Sequence, residues 1–482
     1  MNPPTPQQRI VFQLSMYSNL VANRKGPNLE ADLYRAIKDA LAANRDQIGN
    51  WSVVWGPAVY QYNTTSLAIN AMYVAKGEDP DNRDTYVVGI AGTNPSSLFD
   101  WIFEDGLVGK QIPWPYALAS APDAKISLGT GIGLVILQNL APGSGIPGTG
   151  TTLRQFLAGI PGKPGKSLVV AGHSLGGALS ATVTLWLHDI RPLWDPFRQV
   201  TLSSIPTAGP TAGNGAFARY SDGAIQVARF ANAIDVVPHA WQASDLAQIP
   251  TLYVPFIQPD GTINYLVHVA EGISARGDYT QIAGDSGVFP FDVDRSIIFP
   301  HLQPVVNFLL QLAWQHTTAY LRYFAATSPE LATWAMEFQT RALAEAPAVA
   351  AGLAVEAAAK EVTAPVNGRP AIIPPASDPA SDEVAARVLA LRISSASAVT
   401  ETSAESLSVS CQTLPSPGRA KRATCGTRMR RKTSERCMPM ALAASISPLG
   451  TERTAPRMTS VEYAPETMPT ATMPMVKALS SM

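Results

Sequence analysis

The residues with the most chemistry in this chain are Gly172-His173-Ser174-Leu175-Gly176, a serine with a glycine two positions to either side. A serine hydroxyl is a weak nucleophile at neutral pH. It acts when a base takes its proton and a carboxylate orients that base. The apolar run SLVVAG (167–172) precedes the serine, and GGALSATVTLWLHDI (176–190), with helical periodicity, follows it. A serine between a buried strand and a helix sits on a sharp, strained turn, where its second neighbours must be minimal. The free N–H groups of the helix start then point toward developing negative charge. The competing reading is a glycine-rich strand–helix turn without catalysis.

Where such a serine comes first in the chain, the acid and then the histidine follow it. Asp235 lies in RFANAIDVVP (229–238), just past a strand-like run and so at the carboxyl edge of a sheet, where active sites collect. His239 is only four residues further on and too near for a separate loop. His268 sits in the strand-like YLVHVA, His301 opens a helix after Pro300, and His316 stands in WQHTTAYL. The residues alone leave His301 and His316 open as the base.

Several elements must position these groups. WSVVWGPAVYQY (51–62) is aromatic and β-branched and reads as a strand. SLAINAMYVAKG (66–77) and TYVVGIAGT (85–93) read as a hairpin around EDPDNRD, whose acidic residues suit a solvated turn better than a calcium loop. Residues 199–205 and 224–231 read as further strands. Apolar residues at Leu29, Leu33, Ile37, Ala40 and Leu41 predict a helix, and further helices are expected over 128–140, 302–325 and 329–345. Residues 1–27 are Pro-rich at the front with little periodicity. Strands alternating with helices predict an α/β class with a mainly parallel sheet.

The chain has 482 residues, of which 46% are hydrophobic and 15% charged, enough apolar material for a large core. Lys+Arg 36 against Asp+Glu 37 leaves a net charge of -1, so no overall field steers it to nucleic acid. The three cysteines, Cys411, Cys425 and Cys437, exclude a disulfide scaffold and a four-thiolate zinc site. No basic-then-apolar leader and no spanning apolar run is visible, which favours the cytoplasm without excluding release by another route. After Glu345 large apolar residues become scarce, Tyr463 is the one aromatic, and a basic cluster runs from Arg419 to Arg436. The expected organisation is a helical and extended segment (1–65) packed on a catalytic domain (66–345), followed by a low-complexity, disordered tail (346–482).

The segments YVVGIAGTNPSSLFDW, VVAGHSLGGALSA, RFANAIDVVP and HTTAYL occur in this order over residues 66–325. Together they resemble the class 3 lipase family, a branch of the α/β-hydrolase superfamily. The resemblance implies an α/β-hydrolase fold and hydrolysis of acylglycerol or other carboxylic esters by a Ser-Asp-His triad. It places the nucleophile on Ser174 and the acid on Asp235. The family's histidine stands near the domain's end, shortly before an aromatic, which favours His316 with Tyr320 following. GIAGT resembles the family's oxyanion strand and places the oxyanion donors on the N–H groups of Thr93 and Leu175. Ala91 stands where the family usually has arginine. Asp100-Trp101 resembles the start of a lid over 101–116, in which Trp101, Phe103, Trp114 and Tyr116 equally suit ordinary packing. The implied reaction needs no metal or organic cofactor, and its partner is an ester lipid, with no nucleic acid. A phospholipase A1, a short-chain carboxylesterase, or a non-catalytic lipid-surface protein keeping the turn are the alternatives.

Overall fold

The computed structural model describes residues 3–92, 107–284 and 287–363, with side chains as far as 353. Its centre is a six-stranded sheet. In chain order the strands are β1 (Trp51–Gln61), β2 (Ala68–Gly77), β3 (Thr85–Ile90), β4 (Ser167–His173), β5 (Thr201–Thr207) and β6 (Gln226–Val227). They lie side by side in that order. β1, β2 and β3 are antiparallel neighbours, and Tyr73 faces Gly89 across the hairpin. β3, β4, β5 and β6 are parallel. The α/β class with a mostly parallel sheet is therefore the one the alternating elements implied.

The continuous apolar character of β3 and β4 follows from burial on both faces. Val87 and Val169 join one core, with Phe12, Leu33, Leu309 and Leu331. Val88 and Val170 join the other, with Leu134, Leu179 and Phe217. The helices that contribute to the two cores include α1 (Pro6–Met16), α2 (Leu29–Ala43), α3 (Leu128–Asn139), α4 (Leu175–Asp189), α5 (Gly261–Ser274), α6 (Pro304–His316), α7 (Thr318–Tyr323) and α8 (Pro329–Thr363).

Four expectations change. Residues 6–16 form a helix, started by Pro6 and a capping box between Thr5 and Gln8. Val11 through Met16 are all buried, so α1 has no polar stripe to betray its period. YLVHVA is part of α5 and not a strand. Asp260 caps that helix by accepting the Ile263 N–H, and the buried residues Ile263, Leu266, Val267 and Ala270 have helical spacing that a six-residue window hides. The run 224–231 keeps only Gln226–Val227 in the main sheet, while Ala231–Asn232 pairs with Val288–Phe289. The 302–325 helix starts at Pro304, after His301, and breaks at Thr317 into α6 and α7.

The compositional boundary at 345 falls inside α8, where Ala346, Ala350 and Leu353 are buried. Alanine keeps helix propensity high while removing the large side chains by which a core is recognised. Among the described residues, no helix is long and apolar enough to cross a membrane.

Candidate active site

β4 passes into α4 through Ser174, the N-cap residue, with φ 62° and ψ −130°. A positive φ in a non-glycine residue costs about 1–3 kcal/mol and persists where the surroundings enforce it. The flanking glycines make the turn possible. A methyl group on Gly172 would lie 2.2 Å from the Gly176 carbonyl oxygen, and one on Gly176 would lie 2.4 Å from the Ile90 oxygen. The Ser174 N–H donates to the Thr207 carbonyl at the end of β5 (3.0 Å). Ser174 Oγ is buried and has no hydrogen-bond partner among the described residues. Leu175 begins α4, so its N–H has no acceptor within the helix.

The chain beyond β3 arrives beside this turn, where a methyl on Gly92 would be 3.1 Å from Ser174 Cβ. Thr93 itself, together with Trp101 and Phe103, lies outside the described residues. The Gly92 N–H donates to Asn19 Oδ1 (2.9 Å), so a buried amide from the turn after α1 holds the chain next to the buried Ala91. Trp114 belongs to the core, and the half-buried Tyr116 packs against it. Trp114 is fully buried with Nε1 donating to Asp189 (2.7 Å), and Gln138 Nε2 donates to Tyr116 Oη (2.8 Å).

Asp235 follows Ala231–Asn232 and caps the short helix Val236–His239, with Oδ1 accepting the Val237 N–H (3.1 Å). His316 ends α6, and its Nδ1 lies 2.9 Å from Asp235 Oδ2. An ionised carboxylate can only accept, so Nδ1 of the neutral ring carries the proton and Nε2 is left with a lone pair. Nε2 is buried and has no partner among the described residues. Tyr320, on α7, donates its hydroxyl to the same Oδ2 (3.0 Å) and accepts the Asn232 N–H (2.8 Å). Burial, reinforced by the Asp235 charge, holds the Tyr320 phenol well above its ordinary range, so it remains a donor.

Asn232 in turn donates to Gln315 Oε1 (2.8 Å) and fastens the end of α6 to the strand before Asp235. Asn307, Gln311 and Gln315 are buried amides four residues apart on α6. That row is a polar stripe, legible from its four-residue spacing, in an otherwise apolar helix.

The structure thus brings Asp235 and His316 together. His173, the residue before Ser174, has its ring centroid 4.7 Å from that of His316. The structure does not bring in His268, exposed on α5, or His301, exposed in the turn before α6. His239 braces the acid's turn, with Nδ1 2.7 Å from the Asp235 carbonyl oxygen.

Comparison with known proteins finds the family model of Lipase (class 3) over residues 149–244. The solved structure of M37 lipase is 33% identical, over 67% of this chain and 94% of that one, with a TM-score of 0.58. Lipase II from Rhizopus niveus is 19% identical over 50% of this chain and 74% of its own, with a TM-score of 0.34. A lipase from Rhizopus microsporus var. chinensis is 18% identical over 50% and 72%, with a TM-score of 0.34. No curated protein sequence matches.

Proposed function

The chain belongs to the class 3 lipase family and is a carboxylic ester hydrolase, and from that premise we propose that it cleaves acylglycerol esters through an acyl-enzyme on Ser174. In this reading Ser174 Oγ attacks the ester carbonyl while His316 Nε2 takes its proton. Asp235 holds the ring in the tautomer that exposes Nε2 and stabilises the imidazolium as it forms. The tetrahedral oxyanion is bound by the N–H of Leu175 and, as proposed from the sequence, that of Thr93. His316 then protonates the departing alcohol, and water repeats the sequence on the acyl-enzyme, releasing the acid and restoring Ser174.

One observation carries this reading. The Asp235–His316 hydrogen bond assigns the proton to Nδ1, leaving a buried Nε2 in the same region as a buried serine hydroxyl on a strained turn, neither with a hydrogen-bond partner among the described residues. Buried polar atoms are normally hydrogen-bonded, so two orphans here suit groups kept free for a substrate. Ser174→Ala tests it: loss of such a nucleophile lowers turnover by roughly a millionfold. Full activity and fluorophosphonate labelling in that variant would remove Ser174 from the chemistry. A panel of triacylglycerols of increasing chain length beside phosphatidylcholine separates the acylglycerol reading from a short-chain esterase or a phospholipase A1.

A further inference from the structure

His173 is a buried titratable group for which the proposed mechanism has no use. It precedes Ser174, and its Nε2 is 2.7 Å from the backbone oxygen of His316, which lies 143 residues further along the chain. A carbonyl only accepts, so Nε2 carries the proton. Nδ1 faces Thr207 Oγ1 at 3.2 Å, and that hydroxyl also reaches the Gly172 carbonyl at 3.1 Å. The edge contacts of Phe12, Tyr320 and Trp334 with the imidazole fix its plane. Burial, then the neighbouring His316, push its pKa well below the ordinary histidine range, so it presents a neutral dipole to the His316 ring. The ring therefore joins three segments distant along the chain: the residue before the nucleophile, the end of β5, and the last residue of α6.

We propose that His173 is a positioning residue, whose Nε2–H donated to the His316 carbonyl sets the spacing between Ser174 Oγ and His316 Nε2. The proposal rests on the reading of Ser174 and His316 as nucleophile and base. Asn232 and Asp235 hold the end of α6 to the acid's strand, so the His173 bond is the one that sets its height against the nucleophile's turn. A displacement of about 1 Å is enough to lower turnover by roughly a hundredfold. A buried histidine serving only to fill space would behave differently, because its replacement would change stability and leave turnover per folded molecule alone.

The variants follow from geometry. Glutamine places its amide nitrogen where Nε2 stands, asparagine where Nδ1 stands, and leucine offers neither. Full-length His173→Gln, His173→Asn and His173→Leu are assayed with p-nitrophenyl butyrate, with active sites titrated by a fluorophosphonate. His173→Gln is expected to keep kcat within about fivefold, while the other two fall by roughly thirtyfold or more. KM should stay within about twofold for all three, since the bond positions the catalytic groups and does not bind substrate. The second-order rate of fluorophosphonate inactivation should fall in step with kcat. The proposal is overturned if all three keep kcat, if glutamine falls as far as asparagine, or if the glutamine variant does not fold. If only the leucine variant fails to fold, the glutamine–asparagine pair decides. Ser174→Ala, run alongside, separates the two ideas: activity in that variant sinks the nucleophile assignment whatever the His173 series does.

Discussion

Gly172→Ala puts the turn around Ser174 under a calculable load. The new methyl would sit 2.2 Å from the Gly176 oxygen, 2.5 Å from the Gly176 carbonyl carbon and 2.9 Å from the Ile90 oxygen. All three are backbone atoms, so no side chain can rotate away. Reaching ordinary contact at 3.4 Å requires a movement of 3.4 − 2.2 = 1.2 Å along the shortest approach. Gly176 lies in the first turn of α4, so the movement passes into Ser174 and the Leu175 N–H. A shift of about 1 Å among reacting groups lowers turnover by roughly a hundredfold, and overpacking of this kind costs about 1–3 kcal/mol. The assay is initial rate on p-nitrophenyl butyrate per titrated site, with thermal unfolding followed in parallel. Gly272→Ala is the control. It lies within α5 with open space around its Cβ, and it should leave kcat unchanged while stabilising the helix by about 0.5–1 kcal/mol. Gly172→Ala turning over within twofold of the parent would refute the steric reasoning. So would a loss that vanishes once the assay is cooled below the unfolding transition.

Tyr320→Phe leaves the buried Asn232 N–H without its acceptor and removes a donor from Asp235, so it should lower stability by about 1–3 kcal/mol and reduce kcat; urea unfolding beside kinetics checks both, and an unchanged midpoint would contradict the bond. His173 is held neutral in the fold, whereas in the unfolded chain it titrates near about 6.5. The unfolded state therefore binds more protons as pH falls, and this residue removes stability below about pH 6.5 by up to roughly 1.4 kcal/mol per pH unit. The parent should lose stability more steeply than His173→Gln between pH 7 and 5, and equal slopes in urea titrations would sink the assignment of a neutral ring. A chain ending at 345 loses the buried Ala346, Ala350 and Leu353, so it should be less stable than one ending at 363 by about 2 kcal/mol or more. Coincident melting curves for the two truncations would show that this part of α8 adds nothing.

The turn at Ser174 was legible in the sequence because its constraints are local. A buried strand, two glycines and a small-residue helix fit within about a dozen positions, and the steric reason for each glycine reappears as a contact shorter than atoms allow. The same locality exposed the β2–β3 hairpin and the two-faced burial of β4. Periodicity failed where the surroundings reversed its usual meaning. α1 is buried over its second half and so shows no stripe, while a short window of α5 imitates a strand.

What only the tertiary structure decided is which distant groups meet. Residues alone left His301 beside His316. The fold sets His316 against Asp235 across 81 residues, fixes that aspartate with Tyr320, and ties the chain at Gly92 to Asn19 across 73. None of these pairings leaves a local trace, because a hydrogen bond between remote segments constrains neither the spacing nor the periodicity of the residues around it. It exists because two cores bring the ends of β3, β4 and α6 to one place, where buried polar groups must find partners in each other.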